Sequence, residues 1–256
     1  MAKDAVIAIN HGKLICHSDL TLDTDSQKNT CLDMKYTDDK VTVYGDLLWK
    51  CRCPYESLLA GILELKGDFT QQYGQHWYVN EDNFKASGTH EVIFSGDTKQ
   101  TISFSSPKSY FNIVEIQNQS LEGVYCSNGM TASEIITNGC RLTYNENELI
   151  GTVLERDDVI NQSVILIGET LDLNGKTLTI NGDFIHKAGT VDIHGGTLIV
   201  NGSYYMQSTA KNSSGDVIPT GYGSGILKMT TSNDTVRVSG NFVANSIKSH
   251  TSVLTR

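Results

Sequence analysis

Proline, long apolar runs and positive charge are scarce in this sequence of 256 residues. Only 3 prolines occur, so little in the chain interrupts hydrogen-bonded strands. Lys and Arg total 20 against 29 Asp and Glu, and the net charge of −9 argues against nucleic acid or an anionic membrane surface as a partner. No apolar run approaches the roughly 18 residues that a membrane-spanning helix needs, so membrane insertion is not expected. A hydrophobic content of 39% nevertheless predicts a folded chain with a sizeable core.

The first residues, Met1–Asn10, lack the apolar stretch and the small-residue cleavage site of a secretory signal peptide. The residues alone therefore favour a cytoplasmic chain or a piece cut from a larger secreted protein. The cysteines have no metal-binding spacing, because Cys51 and Cys53 form a CxC pair that no second close pair completes. We expect partly buried free thiols, no metal and no cofactor, while a disulfide stays open. The six cysteines are Cys16, Cys31, Cys51, Cys53, Cys126 and Cys140.

What the sequence does contain is an internal repeat. Residues 171–190 align without a gap on residues 191–210, with Leu178 on Leu198 and Gly182 on Gly202, which sets a period of 20 residues. The centre of this unit recurs as a motif of two alternating β-formers, then Gly, a small polar residue and usually an aromatic residue or Leu. Its copies are Val41–Leu47, Leu63–Phe69, Val92–Thr98, Leu178–Phe184, Leu198–Tyr204, Val236–Phe242 and a degenerate copy, Leu14–Leu20, with Ser18 in place of Gly.

A longer repeat lies on top of the short one. Residues 32–60 align with 227–255 at an offset of 195, and residues 7–20 align with 191–204 at an offset of 184. The two offsets differ by 11 residues, an insertion that falls in the polar stretch 207–225. We expect that stretch to be a flexible loop.

Apolar residues spaced by two in each motif are typical of strands that bury one face. Short strands at a fixed period predict a right-handed parallel β-solenoid with about 20–30 residues per coil, in which equivalent residues of successive coils stack directly. We expect the glycine of each motif to supply a positive φ at a tight corner. The alternative, an antiparallel sandwich or barrel, does not explain gapless identity at a fixed period.

The predicted layout is one elongated all-β solenoid over residues 1–256. It comprises a partial large unit at 1–31, coils at 32–120, an irregular segment at 121–165, regular coils at 166–206, the loop at 207–225 and further coils at 226–256.

Two stretches, Gly67–Asn118 and Leu171–Tyr204, resemble repeat modules of very large surface or secreted proteins of Gram-positive bacteria. The resembling residues are Gly67-Asp68-Phe69-Thr70-Gln71, Asn83-Phe84, Ser87-Gly88-Thr89-His90, Val92-Ile93-Phe94-Ser95-Gly96, Gln100-Thr101-Ile102-Ser103-Phe104, Phe111-Asn112, Glu115-Ile116 and Asn118, together with the Gly- and Asn-rich repeats of the second stretch. The resemblance implies an extracellular or cell-surface β-solenoid with an architectural or adhesive role and no catalytic residues.

Candidate functional residues are few. Tyr73, Trp77 and Tyr78 lie in a polar excursion and Tyr222 in the second one, and exposed aromatic rings of this kind can contact sugars or cover the core. Asp172 and Asp192 are expected to stack about 5 Å apart, within the range of a glycosidase pair, on a polar face with no basic residue nearby.

The histidines are expected to be solvent-exposed turn residues, with His90 hydrogen-bonding a corner. They are His11, His17, His76, His90, His186, His194 and His250. Two hypotheses follow: a non-enzymatic surface module, or a β-helix that binds or cleaves carbohydrate. Expected partners are a neighbouring repeat unit, a second copy meeting end to end, or a glycan.

Overall fold

The computed structural model describes residues 5–23, 30–51, 56–73, 83–144 and 147–245. The chain divides into two compact units, Met1–Glu146 (unit 1) and Asn147–Arg256 (unit 2). All regular elements among the described residues are β-strands, which leaves no helix there that crosses a membrane.

The strands of unit 1 are short and regularly spaced. They are β1 (Ala5–Ala8), β2 (Lys13–Cys16), β3 (Leu20–Asp23), β4 (Thr30–Asp33), β5 (Lys40–Val43), β6 (Leu47–Lys50), β7 (Ile62–Leu65), β8 (Phe69–Gln71), β9 (Glu91–Phe94), β10 (Gln100–Phe104), β11 (Phe111–Ile116), β12 (Val124–Cys126), β13 (Ala132–Ile136) and β14 (Leu142–Thr143).

Strands that follow one another in unit 1 lie in different sheets. One sheet has the order β2-β5-β7-β9-β11-β13, and the other has the order β3-β6-β8-β10-β12-β14. Every pair in both sheets is parallel. A third set of parallel pairings consists of the pair β1-β4 and of isolated bridges between Met34 and Leu58 and between Leu58 and Ala86. Each passage of the chain therefore adds one strand to each of the two six-stranded sheets.

Unit 2 repeats this organisation. Its strands are β15 (Glu148–Leu149), β16 (Asp158–Ile160), β17 (Val164–Leu166), β18 (Thr170–Asp172), β19 (Thr177–Ile180), β20 (Phe184–His186), β21 (Thr190–Asp192), β22 (Thr197–Val200), β23 (Tyr204–Met206), β24 (Ser208–Lys211), β25 (Val217–Thr220), β26 (Ile226–Lys228), β27 (Thr235–Val238) and β28 (Phe242–Ala244). They form the parallel sheets β15-β17-β20-β23-β28, β16-β19-β22-β27 and β18-β21-β26, while β24 and β25 pair antiparallel.

The predicted register between repeats is confirmed. Leu178 pairs with Leu198, and Phe184 pairs with Tyr204, each at the offset of 20 residues found in the sequence. Each motif copy forms a strand and a corner, and a second strand begins at its last residue or within two residues after it, as in β19 and β20. Parallel pairing throughout these ladders is incompatible with the antiparallel sandwich.

The core is built by alternation along the strands. In β7, Leu63 and Leu65 are fully buried, whereas Ile62 and Glu64 on the opposite face are half-buried. Edge-to-face aromatic contacts fill unit 1, with the ring of Phe84 lying 4.8 Å from that of Trp49 and 5.2 Å from that of Phe69. Burying one such ring stabilises the fold by about 1.5–3 kcal/mol.

Buried polar side chains form hydrogen bonds at the corner between β9 and β10 of unit 1. Gln100 is fully buried, accepts a hydrogen bond from the Gly96 N–H at 2.8 Å and donates to the Leu65 carbonyl at 3.0 Å. Asn118, also fully buried, donates to Gln100 Oε1 at 3.0 Å. Both residues belong to the stretch that resembles the surface repeats, and they satisfy backbone groups that the corner leaves unpaired.

Glycine occupies the motif corners for a steric reason, and not for the positive φ that was expected. The prediction of positive φ is wrong, because the motif glycines are absent from the residues with positive φ. Instead, a Cβ on Gly67 would lie 2.3 Å from the Gly45 carbonyl oxygen, and one on Gly202 would lie 2.5 Å from that of Gly182. Glycine is required because the corners of adjacent repeats stack too closely for a side chain. The motif glycines are Gly45, Gly67, Gly96, Gly182, Gly202 and Gly240.

The small polar residue after each glycine links the corners of adjacent repeats. In unit 1, Asp46 N–H donates to Asp19 Oδ1 and Asp68 N–H donates to Asp46 Oδ1, both at 2.8 Å. In unit 2, Ser203 N–H donates to Asp183 Oδ1 at 2.7 Å. At these corners the polar side chain accepts a backbone hydrogen bond from the next repeat, which explains why the motif favours an acceptor at this position.

Two segments differ from the sequence expectation. Residues 121–165 are expected to be irregular, yet they contain β12 to β16, which the sequence does not reveal because this stretch holds no copy of the glycine motif. Residues 207–225 are expected to be a flexible loop, but β24 and β25 form a hairpin within them, with Ser208 opposite Thr220.

Candidate functional site

The aromatic candidates divide between the two units. Tyr73 follows β8 and is half-buried, and Trp77 and Tyr78 lie outside the described residues. Tyr222 follows the hairpin of unit 2 and is 55% exposed. Of the two described candidates, Tyr222 presents the open ring that sugar stacking requires.

The histidines do not share one environment. His11 is exposed as expected, stacks on Tyr36 with ring centroids 3.7 Å apart and bonds Asp38 Oδ1 at 2.9 Å. His186 is fully buried, and its Nδ1 lies 2.9 Å from the Tyr204 hydroxyl. The prediction of exposed turn residues is therefore wrong for His186. Its ring is buried in the core because the buried Tyr204 hydroxyl supplies a hydrogen-bond partner there.

His90 also contradicts the expectation. The residue is 0% exposed, and neither ring nitrogen has a hydrogen-bond partner in the described part of the chain. The corner is bonded by the backbone instead, since the His90 N–H donates to the Ser87 carbonyl at 3.1 Å. Burial lowers the pKa of His90 to about 3, so the ring is neutral and closed to substrate at physiological pH.

Asp172 and Asp192 pair in register on β18 and β21, as predicted. The expectation that no basic residue lies nearby is wrong, because Lys228 Nζ bonds Asp192 Oδ2 and His194 Nδ1 lies 3.0 Å from Asp172 Oδ1. Asp192 is only 8% exposed, and its other oxygen, Oδ1, is buried. Each carboxylate is thus already engaged with a neighbouring basic group.

A second carboxylate cluster was not anticipated from the sequence. On the outer face of the sheet β2-β5-β7-β9-β11-β13, register partners on adjacent strands are a glutamate and an isoleucine. Glu91 of β9 lies beside Ile113, and Glu115 of β11 lies beside Ile93, so these two glutamates are diagonal neighbours. We call this surface the glutamate face; its carboxylates are Glu64, Glu91, Glu115 and Glu134.

The carboxylates of the glutamate face have opposite electrostatic environments. Burial raises the pKa of Glu91, and so do the hydrogen bond and the charge of Glu115. Hydrogen bonds from Gln117, Asn138 and Glu91 hold the pKa of Glu115 below its usual value despite some burial. The two carboxyl groups therefore titrate as a linked pair in which Glu91 holds its proton more strongly than Glu115.

Glu64 is the carboxylate of the glutamate face that forms ion pairs with two lysines. Burial by itself would raise the pKa of Glu64, but hydrogen bonds from Lys40, Lys66 and Ser95 lower it to about 2. Lys40 Nζ and Lys66 Nζ lie 2.9 and 3.0 Å from its two oxygens. With both oxygens occupied, Glu64 ties together three repeats of the sheet.

The Glu91 and Glu115 carboxyl groups are close enough that each shifts the pKa of the other. Among the described residues, no group of three or more His, Cys, Asp or Glu side chains has the arrangement of a metal site. The carboxylates of these surfaces thus interact mainly with polar and charged side chains of neighbouring strands.

Three of the described cysteines, Cys16, Cys126 and Cys140, are free thiols. Cys126 is buried, and burial raises the pKa of its thiol to about 12, which makes it unreactive. Cys16 and Cys140 are partly buried and likewise unpaired with another cysteine.

Comparison with known proteins gives no relative to which these surfaces can be assigned. The chain matches no protein-family model, no curated protein and no solved structure.

Proposed function

We propose that the chain is a right-handed parallel β-solenoid serving as a non-enzymatic structural or adhesive module of a bacterial surface protein. The observation that carries this proposal is the continuous in-register stacking of equivalent side chains, such as Leu178 on Leu198. A right-handed path is the one that a right-twisted parallel strand favours on its return to the same sheet. A crystal structure with a left-handed path would overturn that part of the proposal.

Pairing of the charged groups with one another supports a non-enzymatic role. Catalytic carboxylates must be open to substrate, whereas Asp192 is bonded to Lys228, and Glu64 is bonded to two lysines. These pairs connect adjacent repeats and so stabilise the stack. The expected result is no release of reducing ends or unsaturated products from a broad panel of neutral and acidic polysaccharides, and turnover of any of them would contradict the proposal.

A carbohydrate-cleaving β-helix is the second candidate, favoured by one observation. Asp172 and Asp192 stand in register on adjacent strands, at the spacing of about 5 Å used by retaining glycosidases. If this pair were catalytic, Asp172→Asn would abolish turnover, while Asp183→Asn at a corner would retain it.

The exposed edge of unit 2 supports association with a further repeat. Within the described residues, β26, β27 and β28 each pair on one side only. Phe242 of β28 is 48% exposed, although its ladder neighbour Tyr204 is fully buried. An unpaired strand edge with exposed apolar side chains invites another strand, so we propose a neighbouring repeat unit as the partner.

Ser18 disfavours a second copy of the chain in this role. It occupies the corner position that is glycine elsewhere in the motif, and β2 beside it is the first strand of its sheet. At Gly67 a Cβ would lie 2.3 Å from the preceding corner, so a repeat stacked beneath Ser18 would meet the same clash. We expect Ser18→Gly to promote end-to-end dimers in light scattering, with Ser18→Ala monomeric; equal behaviour of the two variants would contradict this explanation.

A surface location follows from the resemblance, and it is part of the same proposal. In a cell that expresses the full natural protein, an antibody against this chain would label intact cells. Labelling only after permeabilisation would refute a surface role and leave the solenoid unaffected.

A further inference from the structure

The hairpin of unit 2 is an addition to an otherwise regular repeat. Leu178 and Leu198 are ladder neighbours 20 residues apart, but the next neighbour, Val236, follows Leu198 by 38 residues. The extra residues include β24 and β25, which pair from Ser208 opposite Thr220. Insertions in repeat proteins frequently form a binding surface, because the regular scaffold does not need them for its own stability.

The hairpin covers an apolar part of the outer face of its sheet. Ile165 of β17 and Ile185 of β20 are ladder neighbours that point away from the core, yet they are only 6% and 4% exposed. Their burial on this outer face comes with the hairpin turn at Gly215 and Asp216, which lines the same space. The expected flexible loop is therefore a cover over two isoleucines.

A cleft remains between this cover and the sheet. It has a volume of about 330 Å³, with Ile165 and Ile185 among its apolar walls and with Asn147, Ser163 and Asp216 as polar groups. That volume lies at the lower end of the range for small-molecule sites and suits one ring better than a chain of rings.

Two polar side chains of the cleft, Ser163 and Asp216, are available for a ligand, whereas Asn147 Oδ1 is buried and does not face it. Ser163 Oγ accepts the Asp183 N–H at 2.9 Å, which leaves its own hydroxyl proton to donate. Asp216 Oδ2 accepts from Asn212 at 2.9 Å, which leaves its Oδ1 to accept from a ligand.

The turn that carries Asp216 is fixed before any ligand arrives. Asn212 Oδ1 accepts from the backbone N–H groups of Ser214 and Asp216 at 2.9 and 2.8 Å. Gly215 has a φ of +89°, which a residue with a side chain rarely adopts. Preorganisation of this kind lowers the entropic cost of binding.

We propose that this cleft binds a single neutral sugar ring, as a free monosaccharide or as one residue of a glycan. The hydroxyl groups of a sugar both donate and accept, which matches the Asp216 acceptor and the Ser163 donor, and its C–H face fits the two isoleucines. The negative charge of Asp216 disfavours an anionic ligand. A simple ammonium ion such as methylammonium carries only donors, so it cannot accept the hydrogen bond that the Ser163 hydroxyl offers. The proposal goes beyond the structural role and stands independently of it.

The test is saturation-transfer NMR on the full chain with methyl glycosides of glucose, galactose, mannose and N-acetylglucosamine. A ligand of about 12 non-hydrogen atoms at ordinary efficiency binds with a Kd of roughly 1–10 mM, so saturation transfer is expected for at least one sugar. Asp216→Ala removes a charged acceptor and is expected to weaken binding about tenfold. Glu155→Ala, which removes an exposed carboxylate of the same unit outside the cleft, is the matched control and is expected to leave the affinity within about twofold.

A second variant replaces residues 208–220 by a two-residue turn, since β20 and β23 show that the sheet forms without a hairpin in every repeat. Its circular dichroism spectrum reports folding, and loss of saturation transfer in the folded variant is the expected result. Three outcomes would overturn the proposal: no transfer to any sugar, transfer that both variants retain, or binding of methylammonium in place of the sugars.

Discussion

The substitution Gly182→Ala is the sharpest test of how the repeats stack. A Cβ at Gly182 would lie 2.5 Å from the Ser163 backbone nitrogen, about 0.9 Å inside the 3.4 Å limit of ordinary contact. The obstructing atom is backbone, which has no rotamer through which to move away. The corners must therefore separate, and the neighbouring hydrogen bond from Asp183 N–H to Ser163 Oγ, at 2.9 Å, lies directly in the region that must open.

The expected cost of Gly182→Ala is about 2–3 kcal/mol in the free energy of unfolding, the range of overpacking in rigid surroundings. Gly168→Ala is the matched control in the same unit, because nothing lies within 4 Å of a Cβ there and φ is outside the left-handed region. That change is expected to stabilise by about 0.4–1 kcal/mol through the unfolded state.

Urea unfolding followed by far-UV circular dichroism measures both variants. If Gly182→Ala is as stable as Gly168→Ala, the close approach of adjacent corners is refuted as the reason for glycine in the motif. The same result would remove the argument that Ser18 blocks a stacked repeat.

Further predictions concern titration and packing. Because burial lowers the pKa of His90 to about 3 against about 6.5 when unfolded, protonation favours the unfolded state, and stability is lost as pH falls below about 6.5, by about 2 kcal/mol at pH 5. His90→Leu is expected to flatten this pH dependence between pH 6.5 and 5 in urea titrations that use the buried Trp49 fluorescence, and an unchanged slope would contradict it. Glu91→Gln is expected to raise stability at pH 7, because the raised pKa of Glu91 means that the folded state prefers a neutral group there; Glu155→Gln, at an exposed position outside the glutamate face, is the control. Tyr204→Phe is expected to destabilise by about 1–3 kcal/mol, because it leaves the buried His186 Nδ1 without its partner at 2.9 Å, and calorimetry on Tyr205→Phe supplies the comparison.

The repeat made much of the architecture predictable. An alternation of β-formers around a fixed corner predicts two strands per motif, and the 20-residue identity predicts which residues stack, as Leu178 and Leu198 do. The strands of residues 121–165 were missed because they contain no copy of the glycine motif.

Features that depend on the distance between repeats were not predictable. The sequence marks Gly67 as a corner, but only the 2.3 Å approach to the Gly45 carbonyl separates steric exclusion from positive φ. The same limit applies to His90, which looks like any polar turn residue until the neighbouring rings are in place.

The candidate surfaces were predicted only in part. Asp172 and Asp192 were expected to stack from the period alone, but their basic partners come from residues distant in the chain, such as Lys228. The pairing of Glu91 with Glu115 needs a register between repeats of unequal length, and the sequence period does not supply it.

The central claim is that equivalent residues of successive repeats lie side by side on parallel strands. Thr177 and Thr197 are register partners on the outer face, so their Cα atoms stand about 4.8 Å apart, within the range of a disulfide. The double variant Thr177→Cys, Thr197→Cys is expected to form that disulfide in mild oxidant, identified by peptide mapping. Thr177→Cys with Ile199→Cys, displaced by two residues along the strand to about 8 Å, is expected to remain reduced. Equal crosslinking of the two pairs, or crosslinking of the displaced pair alone, would contradict the account.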